Sequence, residues 1–312
     1  MRITVTIPAV GVSAIIIYAM STRIALLGTG LMGAPMGQRL LAAGFPLTVW
    51  NRSPEKTAEL VQQGARLGAS ASAAVRDADF VITMLANGPA VTEVLSLGGV
   101  ADAMAPKALF IDMSSVPPDT ARRHAALLAA RGVAALDAPV SGGVVGAAAG
   151  SLAIMAGGEL DAFVQALPVF KALGRATRVG PAGAGALAKL ANQMIVGLTI
   201  GAVAEALLLA EAGGANPAAV REAIRGGFAE SRVLEMHGAR MLMRDFSPGA
   251  HATTQLKDLA SALQAAAEVG LDLPLTREVH DLYQTFVREG GADLDHSALL
   301  LALERRNAHN RR

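Results

Sequence analysis

The chain has 312 residues, long enough for two packed units that each bury a core of their own. With 27 Lys+Arg against 26 Asp+Glu the net charge is +1, and no basic stripe carries interleaved aromatics, so nucleic acid is not an expected partner and a small molecule is. The lack of cysteine excludes disulfides, thiol nucleophiles and thiolate zinc sites, and the six histidines show no metal-ligand spacing, so no metal is expected.

At the N-terminus, Arg2 precedes an apolar run from Ile7 to Met20 that superficially resembles a signal peptide. One positive charge and no small-x-small cleavage site before Ser21 argue against that role. Met20-Ser21-Thr22-Arg23 instead reads like a natural start just ahead of the first strand. Residues 1–21 are therefore expected to be an N-terminal extension, with 1–19 lying upstream of the natural start; a targeting or packing role is the alternative. The longest uncharged apolar stretch of the second half, Met194 to Ala204, stops at Glu205 and is too short to span a bilayer. No membrane association is expected, and the reading is of a cytoplasmic protein.

From Arg23 onward, short apolar runs alternate with amphipathic segments, the signature of βαβ units and a parallel sheet. Strands are predicted at Ile24–Leu27, Leu47–Trp50, Phe80–Leu85, Leu109–Asp112, Val133–Asp137 and Leu152–Ala156, with helices between them. After Val179-Gly180-Pro181 the alternation stops. Everything to about Glu304 then reads as helix, broken at Gly213-Gly214, Gly226-Gly227, Ser247-Pro248-Gly249 and Leu273-Pro274. The predicted fold is an α/β N-terminal domain with a parallel sheet over 22–181, then an all-α domain over 182–305. Residues 306–312 form a polar tail expected to be disordered.

The first chemical motif is Gly28-Thr29-Gly30-Leu31-Met32-Gly33, directly after the first predicted strand and before a helix. Among 33 glycines such a spacing arises readily by chance, so its place between strand and helix carries the reading. In a Rossmann-type turn the first glycine allows the bend, the second lets backbone approach a pyrophosphate, and the third packs helix on strand. About 20 residues on, where a carboxylate would hold the ribose of NAD, stands Trp50-Asn51-Arg52-Ser53. Arg52 offers a guanidinium to a 2′-phosphate, Asn51 and Ser53 can hydrogen-bond ribose or phosphate, and Lys56 is near, so NADP(H) is preferred with NAD(H) possible. A glycine turn without ligand and an ordinary solvated Arg52 are the bland alternatives.

Asp137-Ala138-Pro139-Val140-Ser141-Gly142-Gly143, and Gly180-Pro181-Ala182-Gly183-Ala184-Gly185 leading to Lys189 and Asn192-Gln193, complete a pattern. With them the chain closely resembles the β-hydroxyacid dehydrogenase family over roughly Thr22 to Glu304. The resemblance implies that Ser141, Gly142 and Gly143 bind the substrate's carboxylate and hydroxyl, and that Lys189 performs proton transfer at the reacting oxygen. It also implies that Leu85, Ala86, Ser115 and Lys257 contact the cofactor. Many members carry two asparagines after the lysine; here the second is Gln193, which leaves open whether Asn192 or Gln193 orients lysine and substrate.

In the helical half, Ile224-Arg225-Gly226-Gly227, Phe246-Ser247-Pro248-Gly249, Leu273-Pro274-Leu275-Thr276 and Asp295-His296-Ser297-Ala298-Leu299 look like the tartronate semialdehyde reductase branch. That likeness implies reduction of 2-hydroxy-3-oxopropanoate to D-glycerate. The 3-hydroxyisobutyrate branch is the alternative, and the 6-phosphogluconate branch is disfavoured by the chain's length.

Lys189 lies in a predicted helix from about Ala186 to Ala212 whose only other charges are Glu205 and Glu211. Burial there disfavours the ammonium form, as an acid/base lysine requires. Asn192 and Gln193, three and four residues on, share its helix face. The helix is apolar on nearly all sides, so burial between subunits or domains and a homodimer or homotetramer are expected. Ser141 as a plain turn residue, Lys257 with Asp258 as a solvated pair, and Lys189 as a snorkelling lysine are the structural alternatives. His124, His237, His280 and His296 are assigned to surface or packing. An imine reductase or a non-catalytic cofactor-binding module would not be expected to carry Lys189.

Overall fold

The first described strand shows why a sheet forms here. Ile24–Leu27 (β1) is buried at every position, and its residues alternate between two apolar clusters: Ile24 and Leu26 enter one, Ala25 and Leu27 the other. A strand buried on both faces reads as a continuous apolar run and needs helices on each side. The computed structural model describes residues 22–310, so the expected extension at 1–19 lies outside the described residues.

The N-terminal unit runs in order through β1, α1 (Gly33–Ala42), β2 (Leu47–Trp50), α2 (Ala58–Gln62), β3 (Arg66–Leu67), α3 (Ala71–Val75), β4 (Phe80–Thr83), α4 (Gly88–Ser96), α5 (Val100–Ala103), β5 (Leu109–Asp112), α6 (Pro118–Ala129), β6 (Ala134–Asp137), β7 (Val140–Ser141), α7 (Gly143–Ala149), β8 (Leu152–Gly157), α8 (Leu160–Leu173) and β9 (Gly174–Gly180). Among the described residues these strands make one sheet, ordered β3-β2-β1-β4-β5-β6-β8-β7, with β9 paired to β8. The six strands from β3 to β6 are parallel, in the arrangement of a dinucleotide-binding sheet. Register sets Thr83, Asp112 and Asp137 side by side at the C-terminal ends of β4, β5 and β6.

The sheet is mostly parallel, as expected of the N-terminal domain, with antiparallel pairing among the described residues confined to β8. β8 runs antiparallel to both β6 and β7. The chain turns back between β7 and β8 through α7, entered at Gly142 and Gly143, whose φ of 141° and 61° side chains rarely adopt. β3, β7 and β9 were not predicted; the predicted strand from Phe80 ends at Thr83, two residues short of Leu85.

Helix α9 (Ala184–Ala212) begins two residues before its predicted start and ends where predicted. α10 (Pro217–Ile224), α11 (Arg232–Met243), α12 (Ala252–Glu268), α13 (Pro274–Phe286) and α14 (Leu299–Asn310) follow, and the predicted breaks fall between helices. The chain divides into two compact units after Lys189, inside α9. In the second unit Ile200, Val203, Ala204 and Leu207 of α9 pack with Leu234, Leu259, Tyr283, Phe286 and Leu299. Their i, i+3, i+4, i+7 spacing is a single stripe. Leu187, Ile195 and Leu209 remain exposed, so α9 is not buried on all sides within one chain, although it is long and apolar enough by composition to cross a membrane.

The polar tail expected from Arg306 is helical as far as Asn310. Arg305 and Asn307 donate to the carbonyls of Leu301 and Leu303, four residues back, and the Arg305 guanidinium lies 6.0 Å from the Phe286 ring, so polar side chains continue the helix's solvent face.

Candidate active site

The turn after β1 is built by what its glycines lack. Gly28 has φ of 102°, and a side chain there would collide with the carbonyl of Met84; one at Gly33 would collide with the carbonyl of Gly28. At Gly30 a Cβ would meet nothing within 4 Å, so this backbone faces open space. Helix α1 starts immediately after, with no side-chain cap and no acidic residue in its first turn, leaving its partial positive charge unopposed. Such a cradle fits a pyrophosphate. Leu31 stands exposed beside it.

Asn51 holds this turn from the end of β2. Its Oδ1 accepts from Thr29 N at 3.2 Å and its Nδ2 donates to Ser53 O at 3.0 Å, so both ends of its amide serve the backbone. Arg52 and Lys56 are exposed beside it, and Ser53 is half-buried.

The loops carrying Leu85, Ala86 and Ser115 share one support. Leu85 N donates to Ser114 Oγ at 2.9 Å, Ser114 N donates to Asp112 Oδ1 at 3.0 Å, and Thr83 Oγ1 donates to the same oxygen at 2.9 Å. Asp112 Oδ2 is buried without a hydrogen-bond partner among the described residues. Burial pushes the Asp112 carboxyl up to about 6 against the pull of Ser114 and Thr83, and the nearby Asp137 adds to the rise.

Ser141 ends β7, and Gly142 and Gly143 lead exposed into α7. Lys189, in the second turn of α9, is half-buried and its Nζ donates to the carbonyl of Val140 at 2.9 Å, one residue before Ser141. The first turn of α9 is held by Asp137. Its Oδ1 accepts from Gly183 N at 2.8 Å and its Oδ2 from Ala186 N at 2.7 Å. Burial pushes the Asp137 carboxyl upward, opposed by these amide bonds.

Within the second unit, Asn192 Nδ2 donates to Gln193 Oε1 at 2.9 Å, and Gln193 Nε2 donates to Asp258 Oδ2 at 2.9 Å. Gln255 Nε2 fixes the Gln193 carbonyl at 3.0 Å. Exposed Lys257 pairs with Asp258 at 3.2 Å, and Asp258 is buried rather than solvated.

Sequence spacing missed a cluster in this unit: potential ligand atoms of His237, Asp295 and His296 lie within 4.8 Å of one another. Asp295 already accepts from Gly249 N, Ala250 N, Ser297 N and Ser297 Oγ, and Arg240 Nη1 sits 2.7 Å from it. A guanidinium occupies the place a cation would take, so the donor set does not suit a metal. Burial, then the charge of His237, pushes His296 down to about 4; burial works against ionised Asp295, yet Ser297 and His296 hold its carboxyl at about 2.

The glycine cradle and the helical half each match a known family description. Residues 23–183 match the NAD binding domain of 6-phosphogluconate dehydrogenase, and residues 183–303 the NAD-binding domain of NADP-dependent 3-hydroxyisobutyrate dehydrogenase. The chain belongs to the β-hydroxyacid dehydrogenase family. This β-hydroxyacid dehydrogenase is 43% identical to a 2-hydroxy-3-oxopropionate reductase of Escherichia coli, covering 90% of this chain and 97% of the relative. It is 35% identical to a probable mitochondrial 3-hydroxyisobutyrate dehydrogenase-like protein of Arabidopsis thaliana, over 95% and 89% of the two chains. Its fold superposes on a Mycobacterium tuberculosis 3-hydroxyisobutyrate dehydrogenase solved with L-serine, at a TM-score of 0.84, 36% identity, and coverage of 91% and 99%. The dehydrogenase is thus an NAD(P)-dependent oxidoreductase acting on small hydroxyacids.

Asp137, Asp112 and Asp258 were not singled out as site residues from the sequence. One signal existed: residues 180–184 read Gly-Pro-Ala-Gly-Ala, so the start of α9 has no capping side chain of its own and its cap must come from elsewhere.

Proposed function

We propose that this dehydrogenase reduces tartronate semialdehyde (2-hydroxy-3-oxopropanoate) to D-glycerate, using NADPH in preference to NADH and Lys189 as general acid/base. The observation that carries the proposal is the hydrogen bond from Lys189 Nζ to the Val140 carbonyl, which places the ammonium beside the Ser141-Gly142-Gly143 loop. When bound, the nicotinamide cofactor supplies a hydride to the aldehyde carbon. Lys189 gives its proton to the aldehyde oxygen and, in the reverse direction, takes the hydroxyl proton as a neutral amine. Ser141 and the Gly142 and Gly143 backbone hold the carboxylate and hydroxyl, with Asn192 and Gln193 as amide partners. Gly28 to Gly33 cradle the pyrophosphate at the start of α1. Asn51, Arg52 and Ser53 take the ribose and its phosphate, and Leu85, Ala86, Ser115 and Lys257 complete the cofactor contacts.

The choice of substrate is supported by the 43% identity to the E. coli reductase. A second reading, a 3-hydroxyisobutyrate dehydrogenase or another β-hydroxyacid dehydrogenase, is favoured by the likeness to the mycobacterial enzyme solved with L-serine. NADPH oxidation with tartronate semialdehyde, methylmalonate semialdehyde, succinic semialdehyde and a cyclic imine distinguishes them. The highest kcat/KM is expected with tartronate semialdehyde, and a higher value with methylmalonate semialdehyde establishes the second reading instead. The exposed Leu187, Ile195 and Leu209 of α9 support assembly as a homodimer or homotetramer. Sedimentation as a monomer at micromolar concentration would overturn that part.

A further inference from the structure

A helix start leaves four backbone N–H groups without intrahelical partners, and α9 has no Ser, Thr, Asp or Asn of its own there to take them. The cap comes from 46 residues earlier in the chain, at the end of β6. Both oxygens of Asp137 are used, one on Gly183 N and the other on Ala186 N. This bidentate grip requires the helix to approach the sheet closely, and two glycines allow it. A side chain at Gly185 would collide with the Asp137 carbonyl, and a Cβ at Gly157 would stand 2.6 Å from Asp137 Oδ1.

Three residues beyond Asp137 the same segment meets α9 again, where Val140 O accepts from Lys189 Nζ. From Ala186 to Lys189 the helix rises about 4.5 Å, less than one turn. One short stretch of backbone therefore fixes both where the helix starts and where the lysine's amino group lies, and Ser141 is its next residue.

We propose that Asp137 is a positioning residue of the reaction: by capping α9 from the end of β6 it holds Lys189 in register with the Ser141 loop. This rests on the reading of Lys189 as the proton-transfer group. A caps-only role would alter stability alone, whereas a positioning role alters the proton-transfer step, because displacing a reacting group by about 1 Å costs on the order of a hundredfold in rate.

The test begins with the unaltered enzyme. Hydrogen exchange of the Gly183 and Ala186 amides is expected to be slow for a helix start, slower than the uncapped first turn of α1. Exchange as fast as at α1 overturns the proposal whether or not any variant folds. In Asp137→Asn, which keeps the shape and one acceptor, exchange across 183–190 is expected to quicken. Its kcat is expected to fall about 10- to 100-fold with a larger solvent isotope effect, while the KM and the NADPH Kd stay within about threefold. A folded Asp137→Asn with wild-type kcat and isotope effect, or with its loss in KM or cofactor affinity instead, overturns the proposal. Lys189→Ala assayed alongside separates the two ideas: if it turns over like wild type, the reading of Lys189 has failed rather than the capping of α9.

Discussion

Two strand-to-helix junctions in the N-terminal unit are built by the same device and left in opposite states. At α1 and at α9, glycines remove the side chains that would keep helix from strand. At α1 no side chain caps the helix and no acid stands in its first turn. At α9 the Asp137 carboxylate grips two of the first amides. The helix start is an anion site in both cases. One is filled by the protein itself, and the other is open to a phosphate from outside. Architecture alone does not say which junction binds; the occupant has to be read residue by residue.

The largest effect lies on the filled side. Lys189→Ala is expected to lower kcat at least about a hundredfold while NADPH still binds, by fluorescence titration, since a general acid contributes on the order of 10² to 10⁴. Turnover within about threefold of wild type would break the proposed contrast between a catalytic and a binding junction. On the open side, Arg52→Glu is expected to weaken NADPH use about 10- to 100-fold more than NADH use, the worth of a charged hydrogen bond of about 1.5–3 kcal/mol. Equal losses with both cofactors would remove Arg52 from 2′-phosphate recognition. Gly30→Ala sharpens the comparison further. Its Cβ meets no neighbour, so the melting temperature of the free protein should hold, while cofactor Kd rises at least about tenfold, or about 1.4 kcal/mol. Unchanged affinity would show that the cradle is not approached there.

A smaller effect concerns pH, and the two units differ in its sign. The Asp112 carboxyl, about 6 in the fold against 3.8 ordinarily, contributes stability that is full below 3.8 and lost as pH rises through about 6, a span worth about 3 kcal/mol. The melting temperature of Asp112→Asn relative to wild type should therefore climb between pH 4.5 and 7.5, and a flat difference would show that burial does not govern this carboxyl. His296, about 4 against 6.5, works the other way: its neutral form's contribution is full above 6.5 and lost as pH falls through about 4. Removing it with His296→Gln should flatten the acid limb of the helical unit's melting curve, and an unaltered limb would place the acid sensitivity elsewhere.

The strands that carry the cofactor turn were legible because their burial on both faces writes long apolar runs, as in Ile24–Leu27 and Leu109–Asp112. β9 was not, because Gly174–Gly180 exposes every second residue, including Arg175, and has few apolar side chains to betray it. The antiparallel course of β8 is equally silent, since an apolar run does not record strand direction. At the site, motifs contiguous in sequence were readable, among them Gly28 to Gly33 and Asp137 to Gly143. What distance hid were pairs such as Asp137 with Ala186, Gln193 with Asp258, and His237 with His296. In the first of these a residue quoted as part of a motif serves a helix that begins 47 positions later.

The chain of bonds from Thr83 and Ser114 to Asp112, and from Leu85 to Ser114 Oγ, ties the loop after β4 to the loop after β5. Neither loop can drift without breaking a bond inside the sheet's polar edge. Their fluctuations should be shared, opening as one cooperative unit rather than as two independent flaps. A ligand settling against these loops would then cost little loop freedom on arrival, because the protein gave up that freedom when it folded.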